Sequence, residues 1–420
     1  MEERSVTKKV YTINKDIIRR KEKWNFMVLF PSSKRFFILD KKFSKLVWAN
    51  WTIAHSKKYF HILQDFLNNK IITHTSQKDN TKKTTKRGDM APLNVTFQIT
   101  NRCNLNCVHC HRTKDSFNDL SLSDFKRVID ELRAMKVFNI NISWGEPLLH
   151  PDIFEMITYA LHTWLNVTMS TNLLLRNDEI TKKIATLWIR HIHVSLDSHI
   201  PETHDKIRGI SWSYKQLLNN IEHVKRYNIA YTFVTTIVDQ TPEDYQKTID
   251  KAFQLWATAH KTNGFINQWY GKNNEHYVKD FSEHKKIRKE KKQEYTGKMN
   301  IIAETMFLIQ LGKDYISPKG MPDIINCWCP AGILTCAINE KWEVLACPFF
   351  WDEPAGNILK NTFSEVRNKS KLLQQLRERA DIKECGTCDF VKICWWCRAR
   401  SYWLFKTFKK EDPYCFLLTS

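Results

Sequence analysis

The chain has 420 residues and a formal charge of +20, long enough to bury a sizeable core and divide into two or three domains. No apolar run reaches the ~18 residues of a membrane span, and the N-terminus MEERSVTKKVYTINKD lacks the apolar stretch of a signal peptide. The basic runs Lys82 to Arg87 and Lys285 to Lys292 carry no interleaved aromatics, so the charge reads as a solvated surface with nucleic acid disfavoured. With no export signal, the twelve cysteines read as thiolate ligands in a reducing cytoplasm rather than as disulfides.

Residues 1–76 read as a first domain. Asn25 to Phe30 and Arg35 to Leu39 are short apolar runs separated by Pro31-Ser32-Ser33-Lys34, a hairpin signal. Two stretches of helical periodicity follow, Lys42 to His55 and Lys57 to Asn68. Residues 77–90 are polar and charged and read as a linker.

Residues 91–275 alternate strand and helix. Strands are expected near 94–100, 138–143, 166–170, 191–196, 231–238 and 263–268. Helices are expected near 122–136, 152–163, 177–187, 213–227 and 242–257. Repeated βα units imply an α/β fold with a parallel sheet, whose site lies at the C-terminal ends of the strands. Cys103, Cys107 and Cys110 follow the first strand, Gly145-Glu146-Pro147 the second; Ser170 and Asn172 close the third, Ser195 and Asp197 the fourth. Residues 276–326 read as a bridging segment, charged and exposed over Asn273 to Gly297 and apolar enough over Met299 to Leu311 for a helix.

The three thiols hold three corners of a 4Fe-4S cluster and leave one iron open. This C-x3-C-x2-C spacing resembles the signature of the radical S-adenosylmethionine (AdoMet, SAM) family. The resemblance implies a partial (β/α)6 barrel and an iron-sulfur cluster whose open iron chelates AdoMet. Reductive cleavage of AdoMet then gives a 5'-deoxyadenosyl radical, with electrons from a flavodoxin- or ferredoxin-type donor. The Gly145, Glu146 and Pro147 stretch is similar to the family's G-G-E-P motif, and residues matching Ser170, Asn172, Ser195 and Asp197 stand at strand ends that often contact AdoMet. A carboxylate such as Glu146, with adjacent carbonyls, can accept hydrogen bonds from its ammonium. No catalytic acid or base is named by the sequence. The alternative is a zinc site needing a fourth ligand such as His109 or His111, in a protein that uses its basic surface on nucleic acid.

Residues 327–420 are rich in cysteine. Cys329, Cys347, Cys385, Cys388, Cys394, Cys397 and Cys415 resemble the SPASM domain, which carries auxiliary 4Fe-4S clusters. The last spacing of the central block is x2 here, where that pattern has x3. By this resemblance Cys329, Cys347 and Cys397 hold one cluster, completed by Cys327 or Cys336, and Cys385, Cys388, Cys394 and Cys415 hold a second. Sulfatase-maturing members place Asp after the residue matching Cys347; Pro348 stands here and argues against that activity. The ending, with CRARSY and DPYC, is similar to the subgroup acting on tetrapyrroles in haem and haem d1 synthesis. The N-terminal domain resembles instead the winged-helix PqqD type, which grips leader peptides. The reading favoured is peptide or protein modification, with tetrapyrrole synthesis as the alternative.

The glycine count is odd. Eleven glycines fall far below the roughly 7% usual share, while there are 15 tryptophans, and the two together make 26. Trp144, Trp212, Trp342, Trp395 and Trp396 stand where family motifs carry glycine, and Trp164 and Trp188 stand between helix and strand. UGA codons, which certain bacterial lineages decode as glycine, written here as tryptophan would account for this; true substitution or sequence decay are the alternatives.

Overall fold

The computed structural model describes the six N-terminal strands given next and residues 91–110, 112, 118–163, 165–175, 178–187, 189, 191–265, 282–303, 329–377 and 397–410. It divides into two compact units, Met1–Ala91 with Leu308–Asn326 and Pro92–Phe307 with Cys327–Ser420.

The first unit contains β1 (Lys9–Ile13), β2 (Ile18–Lys21), β3 (Phe26–Phe30), β4 (Arg35–Leu39), β5 (Trp51–Ile53) and β6 (Ile72–His74). They form two antiparallel sheets, ordered β5-β1-β6 and β2-β3-β4. β3 and β4 pair as the expected hairpin, with Phe30 opposite Arg35. β5 lies inside a stretch expected to be helical. Its Trp51-Thr52-Ile53 is aromatic and β-branched, which favours a pleated strand. The rest of the two expected helices and the 77–90 segment lie outside the described residues.

The second unit is built on one sheet of β7 (Asn94–Gln98), β8 (Asn139–Ser143), β9 (Asn166–Thr171), β10 (His191–Ser195), β11 (Ala230–Ile237), β12 (Ala259–Gly264), β13 (Asn300–Ala303), β14 (Thr335–Ile338), β15 (Glu343–Leu345) and β16 (Gly356–Asn357). Its order is β13-β12-β11-β10-β9-β8-β7-β14-β15-β16. Every pairing from β13 through β14 is parallel, and the last two are antiparallel. Between the strands lie α1 (Leu122–Ala134), α2 (Ile153–His162), α3 (Asp178–Thr186), α4 (Pro201–Arg208), α5 (Ser213–Arg226), α6 (Pro242–Gln254) and α7 (Ser282–Glu294). After β16 come α8 (Phe363–Lys369), α9 (Lys371–Arg377) and α10 (Arg398–Phe405).

Local chemistry explains the helices. Ser121 caps α1 by accepting the Asp124 N–H, and α1 then buries Phe125, Val128, Ile129 and Leu132, one stripe at helical spacing. Phe125 meets Phe97 of β7 edge-on at 5.0 Å. Thr241 caps α6 in the same way, with Pro242 in the first turn.

The strands alternate although the sheet is parallel. β8 reads NINIS and β10 reads HIHVS, with every isoleucine and valine buried and the intervening side chains half-buried. The polar face is cross-linked: Asn166 donates to Asn139 (2.8 Å), Asn141 to Ser170 (3.3 Å), and Thr168 to Asn141 (3.0 Å). Helices cover the apolar face, so the other face lines a polar interior of the kind a barrel mouth provides.

Three elements depart from expectation. β12 lies at 259–264, four residues before the predicted position. Residues 300–303, expected to be helical, form β13 beside β12; an apolar run alone does not separate the two. The charged segment near 282–294 is α7, pinned to α6 by Lys291 against Asp250 at 2.7 Å.

Candidate active site

The cysteine loop leaves the C-terminal end of β7 and is braced from several elements. Arg112, buried, donates to the carbonyls of Asn101 (3.0 Å) and Leu105 (2.8 Å). The N–H groups of Asn106 and Val108 bond the carbonyls of Arg208 and Ile207 at the end of α4, and Glu146 N–H bonds the Arg102 carbonyl. Two glycines make this approach possible. A Cβ on Gly145 (φ +50°) would lie 2.2 Å from the Arg102 carbonyl oxygen, and one on Gly209 (φ +70°) 2.3 Å from that of Asn106. No side chain fits either contact.

Within the loop Cys107 is buried and Cys103 and Cys110 are half-buried. Burial pushes the Cys103 thiol up to about 12 and raises that of Cys107 as well. Donors nevertheless face the sulfurs. Arg208 Nη1 lies 3.7 Å from Cys107 Sγ, and Asn172 Nδ2 lies 3.9 Å from Cys103 Sγ. Such donors favour the sulfur in its charged, metal-bound form, so the loop suits thiolate ligation. Among the described residues no three His, Cys, Asp or Glu side chains converge on a single-ion site. His109 is held neutral, its pKa lowered to about 3 by burial and then by Arg208; His111 lies outside the described residues.

The structure brings the other predicted residues to this end of the sheet. The carboxylate of Glu146, fully buried, accepts from Thr171 Oγ1 (2.8 Å), Asn172 N–H (2.8 Å) and Leu148 N–H (3.2 Å). It ties the turn after β8, where Pro147 opens one 3-10 turn (Pro147–Leu149), to the end of β9. Burial raises its pKa to about 7, against those three hydrogen bonds. Asn172 donates to Asn104 Oδ1 (2.7 Å) and so reaches the cysteine loop directly. Ser170 and Ser195 lie on the polar face of β9 and β10.

Asp197, fully buried, accepts the Thr236 N–H (2.9 Å) and has its Oδ2 2.7 Å from Arg208 Nε. The contact is ionic, its N–H not aimed along the line. Asp197, Arg208 and Cys107 thus form a chain of buried charge behind the cluster loop. Sequence reading missed Arg208, Arg112, Asn104 and Thr171. Only Arg208 carried a signal, as the last residue of a helix begun by Pro201 and stopped by Gly209.

At the C-terminal end, Cys329 and Cys397 are buried with Phe350, Leu373 and Leu376 in one small core, against which Cys347 packs. Cys336 sits elsewhere, on β14, with Arg367 Nη1 3.0 Å from its sulfur. Cys327, Cys385, Cys388, Cys394 and Cys415 lie outside the described residues.

The model of the Radical SAM superfamily matches residues 97–252. The chain is 27% identical to the AdoMet-dependent heme synthase of Methanosarcina barkeri, over 77% of this chain and 96% of that one. It is 26% identical to the mycofactocin maturase MftC of Mycobacterium tuberculosis, over 79% and 84%. In fold it is similar to SuiB of Streptococcus suis, solved with the precursor peptide SuiA: TM-score 0.73 at 15% identity, covering 96% of this chain and 98% of that one. With a thiol triad on the first strand's loop, Glu146 and Asn172 beside it and a matching family model, residues 97–252 are a radical SAM domain, and the chain is an enzyme that uses a 4Fe-4S cluster and AdoMet.

Proposed function

We propose that the chain modifies a peptide or protein substrate, as a radical SAM enzyme with a SPASM-type C-terminal region. The observation that carries this is coverage. SuiB, solved with a precursor peptide, matches 96% of this chain, whereas the M. barkeri heme synthase is nearly exhausted by 77% of it. Nearly a quarter of this chain therefore has no counterpart in that enzyme. The first unit's sheet β2-β3-β4 ends in two edge strands, the kind of element that takes up an extended peptide by strand addition, which supports a PqqD-like, leader-gripping role.

Cys103, Cys107 and Cys110 hold the cluster, Asn172 and Arg208 support their sulfurs, and Glu146 fixes the turn whose carbonyls seat the AdoMet ammonium. Ser170, Ser195 and the polar face of the barrel position carboxylate and ribose. The cluster and AdoMet supply a 5'-deoxyadenosyl radical for hydrogen-atom abstraction. Cys329, Cys347 and Cys397 hold an auxiliary cluster. Its fourth thiol is Cys327, because Cys336 lies on β14, outside the small core that gathers the other three. A flavodoxin- or ferredoxin-type protein delivers the electron, in the cytoplasm.

The test is anaerobic reconstitution with iron and sulfide, then dithionite, AdoMet and short peptides encoded beside the gene. Formation of 5'-deoxyadenosine with a mass change in one peptide is the expected result. Tetrapyrrole synthesis is the second reading, favoured by the 27% identity to a heme synthase. Turnover of a porphyrin precursor with no peptide change would replace the first reading with it.

A further inference from the structure

Among the described residues eight non-glycine positions have positive φ, and four of them are tryptophan: Trp144 (78°), Trp212 (60°), Trp256 (67°) and Trp342 (64°). The backbone is described for only three other tryptophans, Trp51, Trp351 and Trp403. Left-handed backbone is tolerated here by Lys136, Leu173, Asn228 and Lys406, so the anomaly is not positive φ itself. It is that one bulky residue type, a genuine outlier there, supplies half of the cases.

Each of the four sits on left-handed backbone, where glycine is the least strained residue, although the ends of α1 and α5 carry Lys136 and Asn228 in the same motif. Trp256 follows α6, its N–H bonded to the Phe253 carbonyl and that of Ala257 to Ala252, which is a Schellman ending. α4 ends in the same motif, with Gly209 N–H on Lys206 and Ile210 N–H on Asp205, and there the position is glycine. Trp342 closes the β14–β15 hairpin, its N–H on the Asn339 carbonyl while Asn339 N–H meets Glu343. That is a turn followed by a left-handed bulge residue, a glycine position. Trp212 stands at the start of α5 and Trp144 directly before Gly145.

Trp342 is buried, but the other three indoles do little in return. Trp212 is 68% and Trp256 81% exposed. Trp144 stacks on Trp351 at 4.8 Å, but its indole nitrogen is buried with no hydrogen-bond partner. Trp403 is the contrast: its Nε1 donates to the Phe349 carbonyl at 2.8 Å, and Lys406 Nζ lies 4.6 Å over its ring.

We infer that positions 144, 212, 256 and 342 are glycine in the protein its own cell makes, encoded by UGA codons read there as glycine, while Trp403 is a true tryptophan. Trp256 extends the set beyond motif positions, since no family pattern marks it. At position 144 the consequence reaches the site. Glycine there completes Gly-Gly-Glu-Pro and removes an indole from the turn whose carbonyls seat AdoMet, a consequence that rests on the reading above.

The experiment is peptide mass spectrometry of the protein isolated from its source cells. The expected peptides are lighter, at each of the four positions, by one indolylmethyl group exchanged for hydrogen, with the Trp403 peptide unchanged. Tryptophan masses at the four positions overturn the inference. A second measurement compares the chain as written with the W144G/W212G/W256G/W342G protein. The glycine form should melt about 10 °C higher, since four left-handed strains are relieved, and no rise counts against the inference. Glycine masses in a protein that makes no 5'-deoxyadenosine would leave this inference standing and defeat the proposed function.

Discussion

At the barrel three thiols sit on one eight-residue loop, while at the C-terminal end Cys329, Cys347 and Cys397 arrive from three separate segments. The loop is held by polar groups: backbone bonds to α4, the guanidinium of Arg112, and the Asp197–Arg208 pair behind Cys107. The C-terminal thiols are held by apolar packing on Phe350, Leu373 and Leu376. A loop fixed by hydrogen bonds keeps its shape with the sulfurs free, ready for a cluster with an exchangeable site. Thiols gathered by a core depend on the fold of that core and suit a cluster that is never opened.

The sharpest way to break this comparison is to remove one thiol from each region. Cys107→Ala should abolish 5'-deoxyadenosine formation, measured by chromatography, with a circular dichroism spectrum like the parent's. Cys397→Ala should lower the melting temperature as well as the iron content, because it leaves a cavity in a small core.

Arg208 comes next. Arg208→Ala leaves the Asp197 carboxylate buried without its cation, a loss of about 3–5 kcal/mol, read by denaturant unfolding. Arg208→Lys should recover part of that stability yet still shift the electron paramagnetic resonance signal of the reduced cluster, since the donor to Cys107 has changed. An unchanged signal in the lysine variant would mean that Arg208 is structural only.

The smallest effect expected is at Glu340, in the turn of the β14–β15 hairpin. Its carboxylate is 4% exposed, neither oxygen accepts a hydrogen bond from another residue, and burial raises its pKa to about 7. Below the ordinary value of 4.5 the group is neutral in both folded and unfolded chains. Between 4.5 and about 7 only the unfolded chain is ionised, so stability falls as pH rises, by at most about 3 kcal/mol in total. Glu340→Gln should flatten that slope; an identical pH profile would place the carboxylate in water.

Much of the barrel was legible because its strands alternate and its helices carry caps and apolar stripes. The sequence pattern points past β12, because Ala259 to Gly264 has no apolar rhythm while the apolar Gly264-Phe265-Ile266 follows it. The sequence of β13 suggests helix because Asn300 to Ala303 opens a longer apolar run. The thiols and the strand-end residues were legible as spacing, but their partners were not. Nothing local in Asp197 predicts that its carboxylate turns to Arg208, or in Glu146 that Thr171 and Asn172 receive it. Those bonds join residues 11 to 26 positions apart, brought together only by the sheet.

β14 pairs in parallel with β7, from Thr335 opposite Asn94 to Ile338 opposite Phe97. β7, the strand that launches the cysteine loop, therefore has a neighbour on both sides only when the C-terminal region is present. Cutting the chain before Cys329 would not release a smaller working barrel. It would strip the cover from a strand whose Val95 and Phe97 are fully buried, leaving a row of unpaired amides and carbonyls as a template for aggregation. The two cysteine regions are thus inseparable in manufacture, and any attempt to graft a different C-terminal region onto this barrel must supply a strand for that edge.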